Sequence, residues 1–466
     1  MRVFGHSLSP GALPAMVMDM ALCFMAVLLA ASTLTTRYAM LNGAVPELPL
    51  VLMGATIFAL VMALMYGIAG LYRPVPIPLA SAVARTVVCL AVGGYFTSLS
   101  LRVVGDRGYV EQLLPGAIAY LAIGLVFVHC GLYFMRRVRT HPRVLIVGTG
   151  SEALALASDL QSSRRNPRDV VGLYPTSADV CLPQQAAGTK RIFSREHSIS
   201  ELVSRYRVHE IIVAVREQRG GGVPMDELLA CRIRGIPVLD LAAYSEKTCC
   251  EVPIDSLKGS WLIYGRGFVQ GYGRRLLKRL FDILSSSLLL LLFWPLIVVA
   301  MIAIRLESPG PVVYRQQRVG LGGRTFTCMK LRSMRNDAEG DGIARWATQN
   351  DPRITRVGSF IRKTRIDELP QLWSVLVGQM SLVGPRPERP GFVEELKGSI
   401  PFYEIRHTVK PGVTGWAQVR YHYGATMEDA RRKHQFDLYY VKNNSLLLDL
   451  LVLVETVSVI VFREGQ

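Results

Sequence analysis

Four apolar runs dominate the first third of the chain, near residues 13–34, 48–71, 79–101 and 114–135. A bilayer-crossing helix needs roughly 20 apolar residues, and each run is long enough. The first shows no small-residue cleavage site and is followed by further runs, so it reads as a span and not as a removable leader. Arg136, Arg137, Arg139 and Arg143 follow the fourth run, a positive-inside signal for a cytoplasmic exit. Four spans then place the N-terminus on the same side. Arg73 and Arg85 agree with that topology, while Arg37, Arg102 and Arg107 dilute it. Asp19 is the acid of the first run, and a snorkelling position near its cytoplasmic end is expected in preference to pairing with a neighbouring span.

From Arg143 the pattern changes to short buried strands alternating with helices. Strands fit residues 143–148, 170–174, 210–215 and 236–241, and helices fit 153–160, 199–206 and 225–233. This alternation predicts a small parallel-sheet, Rossmann-like domain. The dinucleotide fingerprint is incomplete. Gly148 and Gly150 are present and Ala153 fills the third position, but Tyr174-Pro175-Thr176 stands where the acid at the end of the second strand belongs. A degenerate domain for regulation, assembly or positioning is favoured over working NAD binding.

A third pattern begins with Arg274, Arg275, Lys278 and Arg279, followed by an apolar run over 281–304 and then Arg305. Positive charge at both ends opposes a simple crossing. Pro295 sits mid-run and removes a backbone hydrogen bond, and Asp282 and Ser285 to Ser287 interrupt the apolar character before it. A helix–break–helix that enters one leaflet and returns is expected, with a kinked ordinary span as the alternative. The run 446–462 is apolar enough to lie against a membrane or a protein core. The predicted fold class is a membrane protein, α plus α/β. It comprises a four-helix transmembrane domain (1–140), a Rossmann-like α/β domain (141–250), a linker (251–273) and a mainly α domain (274–466) anchored by the re-entrant helix.

Composition supports the membrane assignment: mean hydropathy is +0.28 and only 19% of residues are charged. The net charge of +17 suits an anionic cytoplasmic leaflet. Nucleic acid is the other usual partner of such a charge, but no basic helix with interleaved aromatics appears, so no nucleic-acid binding is expected. The eight cysteines are scattered without metal-ligand spacing, and Cys249-Cys250 are adjacent; they read as reduced.

The densest polar constellation runs from Arg362 to Pro387. Arg362, Lys363 and Arg365 precede the acidic pair Asp367-Glu368, and a short apolar segment leads to the turn Gly384-Pro385-Arg386-Pro387. On an α-helix the two acids would point about 100° apart, which suits one carboxylate that attacks or takes a proton and another that holds a metal. Acids at a helix N-terminus are the plain alternative. Asp337, Glu339 and Asp341 have the alternate spacing of a calcium loop without its remaining ligands, so a solvated loop is expected. His407 and His422 read as bases or as packed side chains.

Here the sequence resembles a known family. DELPQLWSVLVGQMSLVGPRPERPGF (Asp367 to Phe392) is similar to the signature of the monotopic phosphoglycosyl transferases, bacterial enzymes that start exopolysaccharide and O-antigen chains. KRLFDILSS (Lys278 to Ser286), ESPGPVVYRQQRVG (Glu307 to Gly320), KLRSM (Lys330 to Met334) and KPGVTGWAQV (Lys410 to Val419) extend the likeness in order. EVPIDSLKGSWLIYGRGF (Glu251 to Phe268) looks most like the EpsB-type exopolysaccharide sugar transferases. The resemblance implies transfer of a sugar 1-phosphate from a UDP-sugar, UDP-glucose first, to undecaprenyl phosphate with release of UMP. It implies Asp367 as nucleophile, acting from a surface cleft, and Glu368 as ligand of Mg2+. Arg362 and Arg386 would bind phosphate, with Lys330 and Arg332 as further candidates. It also implies a homodimer in the bacterial inner membrane, in contact with its lipids, with the catalytic domain cytoplasmic. The turn from Lys410 to Trp416 would be structural or donor-contacting. Two other classes stay open on the residues: a non-catalytic assembly or chain-length protein of polysaccharide export, and a membrane-bound NAD-dependent sugar-modifying enzyme.

Overall fold

The computed structural model describes residues 2–3, 6–7, 12–42, 48–72, 79–102, 107–138, 142–162, 168–176, 191–215, 222–254, 267–268, 271–335, 338, 351–421, 424 and 426–462. Arg73, Arg139, Cys181, residues 255–266, Asp337, Glu339, Asp341 and His422 lie outside the described residues, as do the side chains of Arg37, Arg102, Arg107, Cys130, Arg136 and Arg137. The chain forms two compact units: the first runs to Cys249, and the second runs from Cys250 and also takes in the N-terminal residues Arg2–His6.

The first unit opens with helices α1 (Ala12–Asn42), α2 (Leu48–Ile68), α3 (Leu79–Arg102) and α4 (Arg107–Val138). Ala15–Leu34, Val51–Ile68 and Ala82–Leu99 are long and apolar enough to cross a membrane, and α4 contributes the shorter apolar stretch Leu113–Val128. Helix α1 packs on α2 and α4, and α3 packs on the same two. Buried positions are often small, with Ala26 and Ala30 on α1 and Ala55, Ala59 and Ala63 on α2, whereas Leu60, Leu64, Val87 and Phe127 are exposed. Small residues let backbones approach where lipid supplies no hydrophobic drive between helices. Asp19 corrects the snorkelling expectation. It is buried, as are Cys23, Ala26 and Ala30, which share its helix face at the i, i+4, i+7 spacing, and it lies near Tyr66 and Tyr72.

Next, β1 (Arg143–Val147), α5 (Ser151–Ser162), β2 (Asp169–Tyr174), α6 (Ile199–Tyr206), β3 (Glu210–Val213), α7 (Met225–Ile233), β4 (Val238–Asp240) and α8 (Leu241–Thr248) alternate. The strands pair in parallel in the order β2-β1-β3-β4. Successive strand residues point to opposite faces. Leu145, Val147 and Ile211 therefore join a core with residues of α6 and α7, while Val144, Ile146 and Ile212 join another with residues of α5 and α8. The strand–helix alternation is thus a parallel sheet covered on both faces. At the end of β2, Tyr174 and Thr176 are both buried, and no carboxylate stands there.

The second unit contains α9 (Tyr272–Glu307), the antiparallel hairpin β5 (Val313–Val319) and β6 (Thr325–Leu331), α10 (Arg356–Lys363), α11 (Gln371–Val377), β7 (Ser381–Val383), α12 (Pro390–Ser399), β8 (Gly412–Thr414), α13 (Trp416–Arg420), α14 (Met427–Asn443) and α15 (Leu446–Phe462). Strands β7 and β8 pair in parallel. Helix α15 turns Leu448 and Val452 into the core and leaves Leu450 and Val457 exposed.

Helix α9 corrects the expected break: its 36 residues form one continuous helix with Pro295 inside. A proline removes one amide from the ladder, and the turns on either side continue the helix. Both ends dock on the same unit. Arg279 donates to the Val375 and Leu376 carbonyls at 2.6 Å each, and Asp282 accepts from Ser381 Oγ at 3.1 Å and Leu382 N at 3.2 Å. At the far end Glu307 accepts from Arg356 N at 2.8 Å, and Arg332 donates to the Ser308 carbonyl at 2.7 Å. Between the two docking points Leu284, Leu288, Leu291, Leu292 and Val299 are exposed.

Candidate active site

Three elements bring the acidic pair to its partners. Strand β6 carries Lys330 near its end, α10 carries Arg362, and a single 3-10 turn over Ile366–Glu368 carries both acids. Consecutive residues of a 3-10 turn point 120° apart, so the pair diverges more than on the α-helix expected. Ile366 is the inward member, packed with Ala300, Ile304, Leu331 and Ile361. Arg365 caps the turn in the left-handed region, φ 60°, an uncommon place for a residue with a Cβ. Strained backbone of this kind concentrates at functional sites.

Glu368 Oε1 gathers three cations: Arg386 at 3.0 Å, Lys330 at 3.2 Å and Arg365 at 3.7 Å. Burial opposes ionisation of Glu368, but Lys330, Arg386 and Arg365 outweigh it and hold the carboxyl below the usual carboxylate range. Asp367 is in the opposite state. Burial and then the charge of Glu368 push its carboxyl above the usual range, against the pull of Lys330, Arg362 and Arg365. Its Oδ1 is buried without a hydrogen-bond partner. The cleft expected at the surface is closed in, since both acids are 7% exposed. Two neighbouring carboxylates with opposed environments are the usual arrangement when each has its own task.

The turn Gly384 to Pro387 reaches the pair through Arg386. Pro385 and Pro387 have no amide hydrogen, so beyond Gly384 N, which donates to Thr414 O at 2.9 Å, the turn is fastened through its carbonyls. Pro385 O accepts from Gly412 N at 2.9 Å, Arg386 O from Arg406 at 2.8 Å and Pro387 O from Arg318 at 3.0 Å. Just before it, Val383 O accepts from Tyr440 Oη at 2.9 Å and Lys278 Nζ at 3.3 Å. Gly384 leaves room for this closure, because a Cβ there would strike the Lys410 carbonyl and Gly412 N.

Of the residues singled out in the sequence, Lys330, Arg386, Asp367 and Glu368 are brought together. Arg362 is near enough for its charge to act on Asp367, but among the described residues no ion pair joins it to either acid. Arg332 lies outside the cluster: it is buried, and its guanidinium donates to Ser308 and Pro309 at the end of α9. His407 packs edge-on against Tyr403, and burial and then the charge of Arg406 lower its pKa to about 4. Trp416 is a core residue, stacked on Tyr439 and donating to Cys250 O at 2.9 Å. Arg318 and Arg406 were not singled out, because partners 20 or more residues away leave no local spacing to read. Arg365 stood in the basic cluster without a role, although its partner Glu368 is only three residues on.

A magnesium ion takes oxygen ligands, commonly one or two carboxylates completed by phosphates and water. Asp367 Oδ1, buried and unpartnered beside Glu368, fits that donor type. Among the described residues no group of three or more metal-ligating side chains occurs, so the protein would supply this pair and the substrates the rest.

Comparison with known proteins agrees with the polar constellation. The sequence profile of a family described as "Bacterial sugar transferase" matches residues 273–463. Over 390 residues the chain is 32% identical to a UDP-glucose:undecaprenyl-phosphate glucose-1-phosphate transferase of Xanthomonas campestris pv. campestris, covering 78% of each chain. Over 259 residues it is 42% identical to a UDP-N-acetylgalactosamine-undecaprenyl-phosphate N-acetylgalactosaminephosphotransferase of Aeromonas hydrophila, covering 56% of this chain and 60% of the relative. Over 185 residues it is 45% identical to a UDP-glucose:undecaprenyl-phosphate glucose-1-phosphate transferase of Escherichia coli K12, covering 39% of this chain and 40% of the relative. The matched part thus spans less than two thirds of the latter two. With these likenesses and its membrane helices, the chain belongs to the bacterial sugar transferase family.

Proposed function

We propose that the protein transfers a sugar 1-phosphate from a UDP-sugar, UDP-glucose first, to undecaprenyl phosphate, releasing UMP. The observation that carries this reading is the buried, unpartnered Asp367 Oδ1 beside a carboxylate held by three cations. Asp367 attacks the phosphorus that bears the sugar, the P–O bond to UMP breaks, and an acyl phosphate results. An oxygen of undecaprenyl phosphate then attacks the same phosphorus and expels the Asp367 carboxylate, giving undecaprenyl-diphosphate-sugar. Splitting one displacement into two is what a carboxylate nucleophile provides. Arg386 and Arg362 bind phosphate oxygens, for which the guanidinium fork is suited, and Lys330 keeps Glu368 ionised. Mg2+, when bound by Glu368 with Asp367 beside it, neutralises phosphate charge.

The setting is the bacterial inner membrane with the second unit on the cytoplasmic side, where nucleotide sugars are made. Helix α9 enters the inner leaflet, kinks at Pro295 without losing its helical backbone, and returns both its ends to that side. This is supported by its exposed leucine face and by the docking of both ends on one unit. A homodimer and the choice of glucose over galactose or an N-acetylated sugar belong to this proposal. The test is UMP release from UDP-glucose by purified protein with Mg2+ and undecaprenyl phosphate, comparing wild type with Asp367→Asn and running UDP-galactose and UDP-N-acetylgalactosamine in parallel. UMP from the wild type alone supports the reading. Release of UDP, or an Asp367→Asn protein at the wild-type rate, removes the carboxylate mechanism.

A further inference from the structure

We propose that Arg406 is a positioning residue for Arg386, holding its backbone so that its guanidinium meets Glu368 and the donor phosphates. This rests on the phosphosugar-transfer reading above. Arg386 is a partly exposed side chain fastened to the pair by its contact with Glu368, so its aim depends on where its backbone sits. That backbone lies between two prolines and has no neighbouring amides to fix it. The carbonyls do the fixing, and the one belonging to Arg386 itself is taken by Arg406 at 2.8 Å.

Arg406 is held from behind. Its guanidinium pairs with Asp437 at 2.9 Å and also bonds the Tyr403 hydroxyl, and the arginine and the aspartate are both buried, 6% and 2% exposed. Two charges in a core are costly to desolvate, and apolar residues of similar volume often serve a fold as well or better. Stability alone therefore gives little reason for the pair. A rigid guanidinium that bonds a carboxylate, a hydroxyl and one chosen carbonyl together is instead suited to fixing a loop, which a lysine's single ammonium does less well. Misplacement of a binding group by about 1 Å costs on the order of 100-fold, so a small slip of the turn is enough to matter.

The test is a double-mutant cycle read by calorimetric titration of the full chain in detergent with UDP-glucose and Mg2+. Arg406→Lys is expected to weaken donor binding about 10-fold in the wild-type background and less than about 2-fold when Arg386→Ala is already present. Should Arg406→Lys not fold, the paired Arg406→Met/Asp437→Leu chain, which leaves no unpaired core charge, takes its place in the same cycle. An equal factor in both backgrounds means Arg406 acts on the fold generally and overturns the positioning role. Unchanged binding in both backgrounds overturns it as well. A wild type that releases UMP while positions 386 and 406 show no coupling sinks this proposal alone. A wild type that neither binds the donor nor releases UMP sinks the reading beneath it too.

Discussion

Asp449→Leu should loosen the head of α9, leaving it held by Arg279 and Asp282. Asp449 is 1% exposed and accepts from Lys278 Nζ at 2.8 Å and from Tyr440 Oη at 2.7 Å. Removing it leaves the Lys278 ammonium, 20% exposed, with only the Val383 carbonyl at 3.3 Å. Breaking one side of a buried pair costs about 3–5 kcal/mol. For a unit of roughly 200 residues that lowers the unfolding temperature by about 10 °C. The assay is thermal unfolding in detergent, followed by a signal from the second unit. Lys278→Met combined with Asp449→Leu removes both charges and should recover more than half of the loss. A double variant no more stable than Asp449→Leu alone would refute the reasoning, since the cost would then lie in lost packing and not in the stranded ammonium.

Three further outcomes are expected. Asp367 must be ionised to attack and its carboxyl sits above the usual range, so kcat/KM should begin to fall at a pH higher than an ordinary aspartate near 3.9 would give; a pH profile of UMP release checks this. His434 is 1% exposed, and burial lowers its pKa to about 3. The unfolded chain takes this proton near pH 6.5 and the folded one does not, so its contribution to stability is lost progressively as pH falls below about 6.5, at about 1.4 kcal/mol per unit. Asp437, raised to about 6 by burial, acts in the opposite sense below that pH. The clean measurement is therefore the difference in denaturant midpoint between wild type and His434→Phe across pH 7 to 5. EDTA should abolish UMP release and excess Mg2+ restore it; full activity in EDTA would remove Glu368 from the role of metal ligand.

The membrane helices, the strand–helix alternation and the acidic pair were legible because each is a local pattern, set by hydropathy, by period or by adjacency. Lys330 and Arg386 stood out because they sit in short polar motifs. Arg332 stands in the same kind of motif, two residues from Lys330, yet strand β6 ends at Leu331 and Arg332 turns to the carbonyls of Ser308 and Pro309. Proximity in sequence could not separate the two. Asp19 and the pair of acids were expected nearer water than they lie, because burial depends on which neighbours close over a residue. Pro295 marked a break that did not occur, since one missing amide can be absorbed within a long run of good helix formers. Asp449 did leave a trace, as one of two acids, with Glu455, inside a largely apolar run, but its partner 171 positions earlier left none.

That separation also sets an order of events during synthesis. The head of α9 emerges from the ribosome long before Asp449 exists, and at about 5–20 residues per second the wait is roughly 10–30 s. For that time Lys278 has no carboxylate to pair with, and Asp282 likewise waits for Ser381 and Leu382. The leucine face has to be shielded from water before its polar head is anchored, so delivery to the bilayer precedes assembly of the site. A chain stopped short of residue 449 would then carry a helix delivered to lipid but never locked to the unit it serves.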